Sequence, residues 1–175
     1  AHADFHDAWA QETKHFVVRT NTSPELLEYY CDLVEAYYDL MDDRFRIKPS
    51  PSLRRTKMVV NVYRSRAELY KANRNKIPPS VAGYFSGFEQ TLNFYHDYQE
   101  PAISNWVGLH ECTHLLTYLI DPQYVPQIWL NEAVADYFGS SLVERDAKGR
   151  VRITPGQLQT DRVLTVQQAI AEDKD

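Results

Sequence analysis

The chain has 175 residues, 43% of them hydrophobic and 25% charged, a soluble composition and length suited to one domain with a buried core. Its net charge of −5 argues against a surface that tracks nucleic-acid phosphates. No apolar run approaches the roughly 18 to 20 residues that span a bilayer.

Taken in chain order, AHADFHDAWAQ has neither the charged start nor the apolar stretch of a signal peptide. HFVVRT (15–20) alternates and is β-branched, which predicts a strand. TSPE then supplies capping residues and a first-turn proline, and Leu26, Leu27, Tyr30, Leu33, Val34, Tyr37 and Met41 follow at helical spacing, predicting a helix over about 24–45. Its tyrosines read as core packing or as an aromatic binding stripe. LRRTK (53–57) reads as a solvated turn leading into KMVVNVY (57–63), a well-buried strand. SRAE (65–68) has the spacing of a capping box opening a short helix, in a region that Pro78 and Pro79 end. AGYFS and TLNFYHD, joined by GFEQ, resemble a hairpin. Two helices follow, over about 101–120 and 126–138, each with a proline near its start and the second with Gly139 just past its end. The order predicts an α+β plan. Residues 1–140 would form the main unit. Residues 141–175, with one short helix in LTVQQAIAEDKD, would form a C-terminal extension that begins a further helical region. Cys31 and Cys112 lack CxxC spacing, so neither a disulfide framework nor a redox motif follows.

The helix predicted over about 101–120 carries HECTH at 110–114. One helical turn separates His110 from His114, so both imidazoles leave the same face and can reach a single ion. Glu111 lies beside them, placed to contact a water on that ion rather than the ion itself. Composition alone predicts about 0.01 chance copies of such a motif in this chain. A catalytic zinc ion takes three protein ligands and keeps a fourth position open, and Glu132, on the next helix, can be the third. DPQYVP has the turn-forming residues to bring that helix back antiparallel. Asp136 is one turn beyond Glu132 and can accept the free N–H of a ligating imidazole, and Asn131 adjoins it. Trp129, Leu130, Ala133, Val134, Tyr137 and Phe138 surround these carboxylates and predict that they are not on a fully solvated face. Cys112 points some 200° from His110 and reads as a buried core thiol.

HECTH followed by NEAVADYFG resembles the gluzincin branch of the HExxH zinc metallopeptidases. GYFS, TLNFY and WLNEAVADYF are also similar to the peptidase-MA-like domains of bacterial proteins. The likeness spans about 15–140 in element order, with its specific motifs inside 84–138. It implies a zincin-like fold: a small mixed sheet with an edge hairpin, packed on the HExxH helix and a following antiparallel third-ligand helix. It further implies that His110, His114 and Glu132 bind Zn2+, that Glu111 is the general base, that Asp136 orients His110 and that Asn131 supports His114. TLNFY would be the edge strand, with an extended peptide or protein substrate laid along 91–96. An extracytoplasmic bacterial setting is implied as well. The third histidine of the metzincin pattern is absent.

The expected function is zinc-dependent hydrolysis of peptide bonds. The alternatives are a zincin-like domain that binds zinc and peptide without turnover, as an interaction module of a larger protein, and a zinc hydrolase of some other amide or of a small molecule. Gluzincins of the thermolysin type supply a Tyr or His to the developing oxyanion from beyond the third-ligand helix, but no Tyr or His follows Tyr137 here. Tyr84, Tyr95 and His96 remain as upstream candidates, each also readable as an ordinary sheet residue. Weak peptidase activity is the expectation for this chain.

Overall fold

Phe16, Val18 and Thr20 are fully buried while Val17 and Arg19 are not, the period-two pattern of a strand with one face on the core. The computed structural model describes residues 4–51, 53, 57–74, 77–78, 80–123 and 126–172. Five sequence expectations fall partly outside these, at residues 1–3 of AHADFHDAWAQ, residues 54–56 of LRRTK, Pro79, residues 124–125 of DPQYVP and residues 173–175 of LTVQQAIAEDKD. The strand above is β2 (Phe16–Thr20), preceded by β1 (Trp9–Glu12) and followed by helix α1 (Pro24–Phe45). Ser23 caps α1 by accepting the Leu26 N–H at 3.2 Å, and Pro24 occupies the first turn, where its missing N–H costs nothing. Then come β3 (Met58–Tyr63), α2 (Arg66–Ala72), β4 (Gly83–Ser86) and β5 (Thr91–Tyr95). The helices α3 (Pro101–Ile120) and α4 (Ile128–Gly139) follow, then a hairpin of β6 (Leu142–Arg145) and β7 (Val151–Thr154), and α5 (Thr160–Glu172). The plan is α+β, as expected.

The five-stranded sheet runs β1-β2-β3-β5-β4. β2, β3 and β5 are parallel, and β1 and β4 are antiparallel additions at the two edges. Parallel neighbours cannot be joined by a tight turn, so α1 makes the crossover from β2 to β3. This order corrects the expectation that TLNFY is the edge strand. β5 is hydrogen-bonded on both sides, to β3 and β4, and the exposed edge is β4.

One sheet face carries Met58, Val60, Val62, Leu92 and Phe94, all at 1% exposure or less, beneath α1 and α3. The tyrosines of α1 belong to this core. Tyr30 and Tyr37 are fully buried, and their hydroxyls find partners at 2.7 Å in His96 Nδ1 and 2.6 Å in Thr113 Oγ1. A buried phenol without such a partner would carry an uncompensated desolvation cost. Cys31 and Cys112 are buried free thiols.

The β6–β7 hairpin packs on α1, with Val143, Val151 and Ile153 partly buried against the core and Arg145 Nη2 3.0 Å from Asp32 Oδ2. One further expectation changes. The apolar residues of α4 enclose its carboxylates less than expected: Trp129, Leu130 and Tyr137 are 67%, 42% and 54% exposed. The reason is that α4 packs chiefly on α3 and no described element covers its far side. No helix among the described residues is long and apolar enough to cross a membrane.

Glu35 of α1 ties the start of β2 to the helix. Its Oε1 accepts the His15 N–H at 2.8 Å and lies 2.5 Å from Thr13 Oγ1, and its Oε2 lies 2.7 Å from His15 Nδ1. Burial pushes its pKa up, but the bonds from Thr13 and His15 together outweigh burial and leave it lowered. A lowered folded-state pKa contributes stability above the unfolded value and loses it as pH falls through the folded value. Glu35→Gln should therefore cost about 1–3 kcal/mol in urea unfolding at pH 7. The difference should shrink as pH falls below about 4.5. An equal difference at pH 3 and pH 7 would contradict the charge-based account.

Candidate metal centre

Helix α3 has two working faces. Val107, Leu109, Cys112, Leu115, Leu116 and Leu119 are buried on the sheet and α1, and Thr113 is tied to Tyr37. That leaves His110, Glu111, His114 and Tyr118 on the cleft side, the i, i+1, i+4, i+8 set that helical geometry places together. α4 returns along this face, with Glu132 meeting both histidines and Gly139 reaching the level of His110. A Cβ at Gly139 would lie 3.0 Å from the Cα, Cβ and N of His110, so only glycine lets the two backbones approach this closely.

The donor atoms converge. His110 Nε2 and His114 Nε2 are 3.2 Å apart, His110 Nε2 and Glu132 Oε2 are 3.3 Å apart, and His114 Nε2 and Glu132 Oε1 are 3.5 Å apart. Ligands of a tetrahedral ion with bonds of about 2.0–2.1 Å are separated by about 3.3–3.4 Å. The three residues therefore fit one metal ion, and they can hold it as a group.

The surroundings complete the set. Asp136 Oδ1 lies 3.0 Å from His110 Nδ1, and both atoms are buried with no other partner among the described residues. Asn131 adjoins His114. The His114 pKa is lowered, first by burial and then by His110, which favours the neutral, ligating form. Burial pushes Glu111 up to about 7, with the Glu132 charge adding to it, even though Glu111 Oε2 accepts the Phe85 N–H at 3.0 Å. All of these side chains except Asp136 border one cleft of about 400 Å³, walled by Phe85, Tyr118, Pro122 and Pro126.

The proposed oxyanion donors fare differently. Strand parity sends Gly83 toward Val107 of α3 and Tyr84 to the opposite face, where its hydroxyl donates to Asn73 Oδ1 at 2.5 Å. Only part of Tyr84 borders the cleft, and its phenol is engaged elsewhere. Tyr95 lies on the α2 side near Arg66, and His96 is buried against Tyr30. Neither borders the cleft described above. Tyr118 does border it, and was missed. Its position four residues after His114 was the available signal.

Compared with protein-family models and with curated proteins, the chain matches none.

A ligand that binds only the folded state stabilises it by RT ln(1 + [L]/Kd), about 2.7 kcal/mol at a hundredfold excess over Kd. A divalent ion in that excess should raise the melting temperature by about 5–10 °C in wild type. His110→Ala, His114→Ala and Glu132→Ala should each lose the rise, and wild type should lose it as pH falls and the histidines protonate. A full rise in all three variants would sink the ligand assignment. Separately, Gly139→Ala should cost about 1–3 kcal/mol by forcing α4 off α3. An unfolding curve like that of wild type would show that the approach at His110 has slack.

Proposed function

We propose that this chain is a zinc-dependent hydrolase of peptide bonds with a zincin-like fold of the gluzincin type. The single observation that carries the reading is the donor triangle of His110, His114 and Glu132, with edges of 3.2, 3.3 and 3.5 Å. Two imidazoles and one carboxylate are a three-residue donor set of the catalytic kind, whereas structural sites normally close with a fourth Cys or His. The buried thiol of Cys112 lies on the sheet side of α3 and adds no fourth ligand.

Zinc held by such a set supplies Lewis acidity, polarising a carbonyl and acidifying a water. Glu111 handles the proton. Its Oε2 is occupied by the Phe85 N–H, which leaves Oε1 to take a proton from the attacking water and return it to the departing amine nitrogen. Burial raises the pKa of this carboxyl, the direction that helps it hold the proton between the two transfers. Asp136 holds His110 in the orientation that turns Nε2 toward the other donors, and Asn131 supports His114. The substrate is an extended peptide added to the free edge of β4, residues 83–86, in place of the interior strand 91–95. The Phe85 N–H on that edge already faces Glu111, so a peptide paired there passes the proton carrier.

A second reading, a zinc- and peptide-binding module without turnover, is favoured by one observation: Tyr95 and His96 lie away from the cleft and the Tyr84 phenol is engaged by Asn73. Loss of one oxyanion donor is worth about 10² to 10³ in rate, so turnover is expected to be slow.

Wild type and Glu111→Gln, both assayed for zinc and on a fluorogenic peptide library, separate the readings. The expected result is equal zinc in both proteins, slow cleavage by wild type and a loss of about 10² to 10⁴ in Glu111→Gln. Equal cleavage by both would remove Glu111 from the proton role. Zinc in both with cleavage by neither would favour the binding module.

A further inference from the structure

Helix α5, like the far side of α4, leaves large apolar residues uncovered. Leu164, Val166 and Ile170 are 56%, 57% and 54% exposed, and the described contacts to the rest of the chain gather near its first turn. Gln159, just before it, donates to Ser140 Oγ at the end of α4. Arg162 reaches furthest. Its Nη1 pairs with Asp136 Oδ2, and its guanidinium lies 5.2 Å from the centre of the Trp106 ring, itself 5.6 Å from the ring of His110.

We infer that Arg162 is a positioning residue of the metal centre, holding Asp136 against His110 and making metal affinity depend on the seating of α5. This rests on the metal reading given above. The geometry is a relay across three elements: Arg162 engages one oxygen of Asp136, and the other oxygen lies 3.0 Å from His110 Nδ1. An exposed ion pair by itself contributes little to stability, and this guanidinium is 55% exposed. Its effect is instead geometric. With Oδ2 held, the carboxylate cannot swing Oδ1 away from the imidazole. Trp106 provides a second arm, lying between the guanidinium and the same histidine with its ring tilted 53° to the imidazole. A cavity of about 510 Å³ lies between α3, the end of α4 and the chain entering α5, bordered by Trp106, Ser140, Leu158 and Arg162. The described contacts of the helix are thus a few polar ones rather than a packed face. Its separation would release Asp136 and loosen the metal.

The test is zinc affinity, measured by competition with a chromogenic chelator, for wild type, Arg162→Gln, Arg162→Lys, Asp136→Asn, the Arg162→Gln/Asp136→Asn double variant and His110→Ala. Losing a partner of a metal-ligating histidine costs about 10- to 100-fold in affinity, and Arg162→Gln should fall near the lower figure. Its metal-free melting temperature should match that of wild type. Arg162→Lys should recover part of the affinity, and Arg162→Gln should add nothing once Asp136 is Asn. Wild-type affinity in Arg162→Gln, or an equal loss in the Asp136→Asn background, would overturn the inference while leaving the metal centre intact. If Arg162→Gln melts early without metal, Arg162→Lys decides: recovered affinity supports the relay, and none overturns it. Zinc binding by wild type no tighter than by His110→Ala would overturn the metal reading and this inference together.

Discussion

Two imidazole nitrogens 3.2 Å apart, with a carboxylate within 3.5 Å of both, form a cluster of electron-rich atoms that the fold must hold against its own electrostatics. A second carboxylate, Glu111, is buried alongside and feels the charge of Glu132. Burial raises the Glu111 pKa, with the Glu132 charge adding to it, while burial and His110 lower that of His114, so both groups move toward their neutral forms. A cation suits every member at once. The rest of the structure serves to keep α3 and α4 close enough that this cluster cannot relax.

That closeness is built from both sides of α3. On the core side, its buried leucines lie over β5 and the phenol of Tyr37 fixes Thr113, so the histidine face cannot rotate away from the cleft. On the other side, Gly139 admits the backbone of α4 to within contact of His110. The sheet then contributes its edge. β4 ends the sheet beside Glu111, and the Phe85 N–H that faces the carboxylate is an outward-pointing group of that edge. His110, His114, Glu132, Glu111 and Phe85 of the β4 edge thus lie around one cleft, an arrangement that supports the proposed hydrolytic role.

What could be read from the sequence divides along local and non-local physics. The face shared by His110, His114 and Glu111 follows from helical periodicity within five residues, and the spacing of Glu132 and Asp136 follows in the same way on α4. The caps at Ser23 and Ser65 were legible for the same reason. The order of strands was not. Placing β5 inside the sheet depends on its parallel pairing with β3, some thirty positions away. The engagement of the Tyr84 phenol by Asn73 was not legible either, since nothing local says which face of the hairpin α3 will cover. β1 offered no signal because WAQE has no fully buried residue and exists by pairing with β2. The β6–β7 hairpin did carry one, Asp146 and Gly149 at its turn, with Gly149 at φ 77°. The exposed flank of α4 contradicts its apolar sequence because no described element packs there.

The central claim is that His110, His114 and Glu132 hold one zinc ion. X-ray absorption at the zinc edge, on purified protein whose metal content is measured in the same sample, tests it most directly. The account predicts about one zinc per chain, with two nitrogen-type imidazole neighbours at about 2.0–2.1 Å and the remainder oxygen at about 2.0–2.2 Å. Sulfur at about 2.3 Å would contradict it, as would a spectrum unchanged when Glu132 is replaced by Ala.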